Sequence, residues 1–283
     1  MISSKELAAE KETMSTMVEL TSAFEGIASA HIAQIREQVL QSQQFFGDLW
    51  RIYSQLRVDG LFRFGRGEGH GKVSDKELMI LVASEGSFSG DIDQRLVNEV
   101  AKVYDSSKND VLIIGHHGAL LLNQKRIPYV KSFKTPEHDL NINTSPIVAE
   151  VQNYRSTLVY YQRYKSLMSQ SIESIRLSKV VIDMGNTVEA GGEIISEKNY
   201  IFEPNVYAVV SHLETTMLQI SLSEVILESK LAQYASRFRA MSIAKERAKD
   251  TLTDVGLMYN RARRHEKDER LKEVINGLRG ARE

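Results

Sequence analysis

The longest heptad repeat in the chain is residues 213–262, LETTMLQISLSEVILESKLAQYASRFRAMSIAKERAKDTLTDVGLMYNRA. Starting at Leu213, alternate steps of four and three residues mark fifteen positions, of which only Glu224 and Lys245 are not apolar. A chain with 42% apolar residues and no pattern would fill about six of them. A strict seven-residue repeat predicts a coiled-coil seam with a left-handed supercoil. We therefore assign residues 205–283 to a C-terminal coiled-coil helix.

A second helical pattern occupies the N-terminal segment. Apolar side chains recur there at spacings of three, four or their sums, at Leu7, Met14, Met17, Leu20, Phe24, Ile27, Ile35, Val39, Phe46, Leu49, Tyr53 and Leu56. All four prolines lie between positions 128 and 204, so no proline interrupts either terminal segment. We expect residues 1–58 to form a long helix that pairs antiparallel with the C-terminal helix of the same chain.

The hydrophobic period changes between the two helices. Short apolar runs at 78–83 and 111–114 flank a helical pattern at 91–104, and strand, helix, strand in this order predicts a parallel βαβ unit. Further strands are expected at 129–133 and 157–164, a helix at 146–155, and a hairpin or loop at 179–199. The predicted fold class is α/β, with a Rossmann-like central domain at 78–204, a glycine-rich linker at 59–77, and the long antiparallel left-handed coiled coil.

Composition excludes several classes of function. The formal net charge of −1 provides no basic field for nucleic acid or for an anionic membrane surface. The absence of cysteine excludes disulfides, thiolate metal sites and a cysteine nucleophile. No apolar run approaches the roughly 20 residues of a membrane helix, and the first residues lack the apolar core of a signal peptide. We expect a cytoplasmic protein without direct membrane insertion.

Two glycine-bearing motifs are weighed as phosphate sites. The run at 65–71 has neither a preceding strand nor a following helix, which favours a hinge over a phosphate cradle. Gly115-His116-His117-Gly118 follows a strand, but it lacks the dinucleotide-binding spacing and an acidic ribose partner. Nucleotide binding there is the less favoured alternative, and no cofactor is expected.

Candidate metal and catalytic groups are equally sparse. The adjacent histidines His116 and His117 have no third ligand at metal-binding spacing, so surface histidines are the favoured interpretation. Glu137 and Asp139 flank His138 without a nucleophile or oxyanion device nearby in sequence. We assign no catalytic residue, no cofactor-binding residue and no metal ligand.

The heptad register ends after Ala262. Residues 263–270 carry no apolar side chain, and a short stripe then resumes at Leu271, Val274, Ile275 and Leu278. The charged run is either a solvated tail or the point where the last helix leaves its partner.

Five stretches of sequence resemble one protein family. Tyr-Asn-Arg-Ala-Arg at 259–263 is similar to the family's Tyr-Asn-Lys-Ala-Arg, and residues 271–277 are similar to its terminal Leu-x-Glu-Ile-Val-x-Gly. Tyr-Ile-Phe-Glu-Pro at 200–204 matches, and residues 84–90 and 161–170 resemble Ser-Asp-Arg-Gly-Leu-Cys-Gly and Tyr-Asn-Lys-Phe-x-Ser-x-x-Ser-Gln. In this order and spacing, the chain resembles the gamma subunits of F-type ATP synthases over nearly its whole length.

The resemblance implies a non-catalytic rotor subunit. Its coiled coil would turn inside a hexamer of alpha and beta subunits, with its foot on a membrane rotor ring and with the epsilon subunit as a further partner. Such a subunit couples ATP synthesis or hydrolysis to proton or sodium transport. In a bacterium the complex would hold it, as a peripheral protein, at the cytoplasmic face of the inner membrane.

Motif position also implies contact residues. The candidates for the rotor ring are Tyr200, Phe202 and Glu203. The candidates for the catalytic head are Met17, Arg237, Met241, Tyr259, Asn260, Arg263 and Arg264.

The distribution of charge departs from the family pattern. Residues 1–58 hold five basic and seven acidic side chains, although the family's first helix is usually rich in lysine and arginine, whereas residues 237–283 hold thirteen basic and eight acidic ones. The shaft of a specialised F-type-like ATPase therefore stays open as an alternative. A non-rotary coiled-coil adaptor and a nucleotide-binding enzyme with a helical arm are the alternatives from other classes.

Overall fold

The computed structural model describes residues 3–56, 73–86, 88–136, 142–186 and 201–280. Six helices occur in these ranges: α1 Ser4–Gln55, α2 Ile92–Val103, α3 His116–Gln124, α4 Ser145–Val151, α5 Leu177–Asn186 and α6 Val206–Gly280. The five strands described are β1 Ser74–Val82, β2 Asn109–Ile114, β3 Lys131–Phe133, β4 Tyr154–Ser166 and β5 Ser169–Arg176. No helix in the described ranges combines the length and apolarity needed to span a bilayer.

The chain divides into two compact units. One contains the described parts of residues 1–27 and 238–283, which belong to α1 and α6 alone. The other, residues 28–237, contains the remainder of both long helices and the whole sheet. The boundaries predicted for the linker and the domains stay predictions.

The second unit is built around one twisted sheet in the order β3-β2-β1-β4-β5. The first four strands in this order are parallel, and β5 pairs antiparallel with β4 at one edge. This strand order is that of a doubly wound sheet. From β1 the chain adds β2 and β3 on one side, and then β4 and β5 on the other side. The predicted Rossmann-like α/β class is confirmed.

Alternating side chains of β1 pack on opposite faces of the sheet. Leu78, Ile80 and Val82 face a core that includes Phe46 of α1 and several buried residues of α6. Met79 and Leu81 face a second core that α2 and α3 cover. Because both faces are buried, the strand is a nearly continuous apolar run, as expected for a parallel sheet.

One predicted element of the central region is wrong, and the helix α3 and the strand β5 were not predicted. Residues 179–186, expected in a hairpin or loop, belong to α5, because Leu177, Val180 and Val181 are spaced three and four apart and pack into the first core. Residues 187–199 lie outside the described ranges. The helix α3 is not among the predicted elements, because residues 115–118 are considered there only as a phosphate or metal site.

Candidate functional site

The two helix segments of the first unit run antiparallel. The Ser4 hydroxyl donates to Glu266 Oε2 at 2.8 Å, and the Lys11 ammonium lies 5.8 Å from the centre of the Tyr259 ring. Further along, Lys245 forms an ion pair with Glu25. Residue numbers rise along α1 as they fall along α6, so the predicted antiparallel pairing within one chain is confirmed.

The heptad of α6 is buried throughout. All fifteen positions from Leu213 to Ala262, including Glu224 and Lys245, are buried or half-buried. Charged residues lie between them; Glu246 and Arg247, for example, are exposed. The seven-residue repeat therefore identified the contact face of this helix correctly.

The N-terminal stripe was only partly right. Between Leu7 and Ile35, the buried positions of α1 are separated by multiples of seven: Leu7, Thr21, Ala28 and Ile35, with Met14 half-buried. Met17, Leu20, Phe24 and Ile27 lie on another face, where Met17 is 46%, Leu20 54% and Ile27 52% exposed. A threonine and an alanine hide the true contact face from a reading based on large apolar side chains. We call Met17, Leu20, Phe24 and Ile27 the outer stripe.

The predicted catalytic-head residues fall into two groups. The exposed group is Met17, Asn260, Arg263 and Arg264. Three others contact their own chain: Met241 is 8% exposed, Tyr259 accepts the Lys11 cation on its ring, and Arg237 donates to the Ser89 hydroxyl at 3.3 Å.

The predicted rotor-ring residues lie just before α6. Tyr200 is outside the described ranges. Phe202 packs against a small core formed by Leu56, Val210 and Leu213, whereas the Glu203 side chain is exposed. The helix α6 begins at Val206, two residues after Pro204.

Asn205 is the residue that caps α6. Its Oδ1 accepts a hydrogen bond from the backbone N–H of Ala208 at 2.8 Å, which satisfies one of the free donors of the first turn. The carboxylate of Glu203 is thus not needed for capping, and it remains available to a partner.

A buried polar network, which the sequence did not reveal, links the sheet of the second unit to α6. The Asp93 carboxylate, 1% exposed, accepts hydrogen bonds from the Ser84 backbone N–H at 3.2 Å and from the Gln162 amide at 2.9 Å, and it contacts His117 Nδ1 at 2.8 Å. The Gln162 oxygen in turn accepts from Ser229 and Gln233 of α6. The available signal was an acidic residue among the buried apolar positions of α2.

The two glycine-bearing motifs have different outcomes. Gly115 precedes α3 with a φ of 101°, and a Cβ there would lie 2.2 Å from the Ala83 carbonyl oxygen. Glycine is required by this close approach of two backbones. The run at 65–71 and the group Glu137, His138 and Asp139 lie outside the described ranges. Within those ranges, no group of three metal-ligating side chains comes together.

Phenol groups reinforce the packing of the second unit. Tyr53 of α1 donates to Glu214 of α6 at 3.0 Å, and burial beside this carboxylate raises the Tyr53 pKa. Burial, with Glu228 and Glu173 nearby, raises the pKa of Tyr161 to about 12. Both phenols are therefore neutral donors at physiological pH.

The family model described as ATP synthase matches residues 3–280. Curated relatives match the chain over nearly the same length. The chain is 22% identical to the ATP synthase gamma chain of Chlorobaculum parvum over 274 residues, which cover 92% of each chain. It is also 22% identical to that of Mycoplasmoides gallisepticum, over 98% of this chain and 99% of the relative. The chain belongs to the ATP synthase gamma-chain family.

Solved structures share the fold of this gamma-chain family member. A chain of the Euglena gracilis mitochondrial ATP synthase, in an assembly of OSCP, F1 and c-ring, superposes with a TM-score of 0.64 at 14% identity and covers 98% of this chain and 94% of its own. A chain of the Tetrahymena thermophila mitochondrial central stalk and c-ring gives 0.57 at 16% identity, with 80% and 99% coverage. At such identities the likeness concerns the fold alone.

Proposed function

We propose that this chain is the central-stalk subunit of a rotary F-type ATP synthase or ATPase. It transmits torque between a catalytic hexamer of alpha and beta subunits and a membrane rotor ring. The subunit itself is non-catalytic, and its role is mechanical. The complex couples ATP synthesis or hydrolysis to the transport of protons or sodium ions.

The observation that carries the proposal is the two-sided character of the first unit. One side of α1 pairs with α6, and the outer stripe remains exposed on another side of the same helix. Large apolar side chains in a row are typical of an interaction surface. The two helices bury their contact faces against each other and still expose a row of large apolar side chains. Such a pair is suited to rotate inside a surrounding ring of subunits.

Smooth apolar contacts suit rotation better than specific hydrogen bonds do. Dispersion and hydrophobic contacts are non-directional, so their free energy varies little as one surface slides past another. We therefore assign the outer stripe, with Met17 at its start, to the catalytic head. Asn260, Arg263 and Arg264 supply exposed polar groups on α6 for the same partner.

The remaining contact residues are proposed with more limited roles. Arg237, Met241 and Tyr259 stay candidates for the head, although each already contacts its own chain. We place the rotor-ring contact at Tyr200, Phe202 and Glu203. Since Asn205 caps α6, the Glu203 carboxylate can accept charge-assisted hydrogen bonds from polar loops of the ring.

The wider setting follows from this role. The epsilon subunit is a further expected partner, and attachment to the complex would place the chain at the cytoplasmic face of a bacterial inner membrane. Nucleic acid is not an expected partner.

Co-expression with alpha and beta subunits tests the proposal. We expect the chain to copurify with both, and expect hydrolysis by the complex to drive its rotation in a single-molecule assay. Replacing Leu20 and Ile27 with glutamate should weaken this association, because charges would be buried in the apolar contact. The matched control replaces Ser22 and Ser29, two exposed positions that are also seven apart but lie on a different side of α1, with glutamate.

The outcomes separate the competing functions. Association with a different set of head subunits would favour the shaft of a specialised rotary ATPase, which the acidic balance of residues 1–58 supports. A stable homo-oligomer that binds neither alpha nor beta subunits would instead identify a non-rotary adaptor and overturn the proposal.

A further inference from the structure

A cavity of about 480 Å³ opens in the second unit, apart from the contact residues assigned above. Three walls enclose it: α1, α6, and the segment 142–145 that leads into α4. Its volume lies in the range of small-molecule sites. The mixture of side chains on these walls indicates the chemistry of a ligand.

The lining is polar but uncharged. Of its thirteen described residues, nine carry hydroxyl or carboxamide groups, four are apolar, and none is charged. A charged ligand would lose its hydration here without gaining an opposite charge, which is costly. A neutral molecule with several hydroxyl groups would lose less and could exchange hydrogen bonds with each wall.

Gln38 of α1 supplies an unsatisfied hydrogen-bond acceptor in this lining. The residue is 8% exposed, and its Oε1 is buried without a hydrogen-bond partner among the described residues. A buried acceptor without a partner destabilises the protein unless a donor is provided. The terminal amide torsion of glutamine is soft, so a small rotation can turn this oxygen towards a donor in the cavity.

The opposite wall is already fixed in place. The Thr144 hydroxyl donates to the Gln219 carbonyl at 3.0 Å, and the Gln219 amide donates to the Ser145 hydroxyl at 3.2 Å. Asn143 Oδ1 accepts from the Ser145 backbone N–H at 3.1 Å. These bonds hold the polar groups of two elements in one arrangement, so binding would order few side chains.

Apolar groups complete the site. The Phe45 side chain is 55% exposed at the cavity, and Ile142 and Ile220 line it as well. An aromatic face next to amides and hydroxyls suits a molecule with C–H faces and hydroxyl edges. We propose that this cavity binds a small uncharged polyhydroxy compound, such as a hexitol or a monosaccharide, through the Gln38 carboxamide and the Phe45 ring. The inference does not depend on the rotary role.

Calorimetric titration of the full-length chain tests the inference directly. The probes are sorbitol, myo-inositol and glucose, with gluconate and glucose 6-phosphate as charged counterparts. We expect at least one uncharged compound to bind saturably at one site per chain, and expect the charged compounds to bind at least about tenfold more weakly.

Gln38→Met removes the acceptor while keeping the length of the side chain. We expect it to weaken binding about three- to tenfold without lowering the melting temperature, because the orphaned oxygen is removed. Gln34→Met, an exposed position one turn earlier on α1, is the matched control and should bind as the wild type does.

Three results would overturn the proposal. The first is that no uncharged probe binds saturably, which would leave water as the only occupant of the cavity. The second is unchanged affinity in Gln38→Met. If that variant does not fold, the wild-type protein decides by nuclear magnetic resonance. Changes in the chemical shifts of the Gln38 side-chain amide and the Phe45 ring on titration support the site. The third contradicting result is that a probe binds without changing these chemical shifts.

Discussion

Asp93 illustrates how one buried side chain can hold several elements together. It lies on α2, yet its carboxylate contacts Ser84 just after β1, the strand β4 through Gln162, and α3 through His117. Gln162 then extends the network to α6. A buried network of this kind is stabilising only while every member is satisfied.

Asp93→Ala should therefore be strongly destabilising. The Ser84 N–H and the Gln162 amide would each lose a buried acceptor, and we expect the free energy of unfolding to fall by about 3 kcal/mol or more. Chemical denaturation of the purified chain measures the change. Asp91→Ala, at an exposed position that caps α2 without a side-chain hydrogen bond, should cost no more than about 1 kcal/mol. Equal losses in the two variants would contradict the role given to the network.

Glu203→Gln separates a partner contact from a local structural role. The carboxylate is exposed and Asn205 supplies the cap of α6, so the isolated chain should keep its stability within about 0.5 kcal/mol. In the assembled complex we expect weaker attachment to the rotor ring, or weaker coupling of hydrolysis to ion transport, since a neutral amide accepts weaker hydrogen bonds. Asn205→Ala is the contrasting variant, which should lower the stability of the chain itself by about 1 kcal/mol. Wild-type attachment and ion pumping in Glu203→Gln would exclude the proposed contact.

Among the elements, α1 is the most informative, because small side chains help to form its contact face while the large apolar side chains of the outer stripe are exposed. Ala28 is completely buried, whereas Ala30 on the same helix is exposed. Because position 28 is fully buried, a larger side chain there would have to displace its neighbours, although nothing in the hydrophobicity of Ala28 distinguishes it from Ala30.

Ala28→Leu should for this reason destabilise the chain, although leucine is a good helix former. Extra methyl groups in a packed interior force neighbouring side chains to move, and we expect a loss of about 1–3 kcal/mol. Ala30→Leu should stay within about 0.5 kcal/mol of the wild type. Thermal or urea unfolding of both variants provides the comparison, and a neutral Ala28→Leu would show that the contact face of α1 is wrongly assigned.

Sequence patterns predicted the elements with a strong period and failed where the period was short or the side chains small. The heptad of α6 and the apolar strands at 78–83 and 111–114 were recognised because many residues contribute to each signal. The helix α5 has only three described buried contacts, and its valines resemble a strand. The contact face of α1 was missed where Thr21 and Ala28 form it.

The proposed contact residues were harder to judge from the sequence than the fold was. Position in a motif indicated Met17 and Glu203, but only the three-dimensional arrangement shows that Met17 belongs to the outer stripe and that Asn205, rather than Glu203, caps α6. The Asp93 network joins residues far apart in the chain, so no local pattern could reveal it.

At the scale of the whole molecule, the pairing of the chain ends can be tested by cross-linking. The natural chain has no cysteine, so a disulfide between Ser4→Cys and Glu266→Cys would be the only one. We expect it to form within single chains on mild oxidation, because the two native side chains are hydrogen bonded. Ser4→Cys with Asp268→Cys, an exposed position on another side of α6, should react much more slowly. Dimers as the main product would contradict intramolecular pairing.

The isolated chain should also lack ATPase activity. No nucleotide-binding motif occurs in the sequence, and the glycine before α3 serves a close backbone approach. Magnesium-dependent ATP hydrolysis, measured after contaminating ATPases have been removed, should not exceed the buffer rate. ATP hydrolysis that copurifies with the chain through several columns would refute a purely mechanical role.

The ion pair between Lys245 and Glu25 has a consequence for how the helix pair can yield under load. Both side chains are largely withdrawn from solvent, at contact positions of the first unit. Sliding one helix by a single heptad would place Lys245 opposite Val18 and Glu25 opposite Phe238, leaving two poorly hydrated charges without a counterion. Twisting the helix pair about its own axis keeps the two charges next to each other. Torque should thus be stored as elastic twist and returned, and should not be dissipated by slippage between the helices.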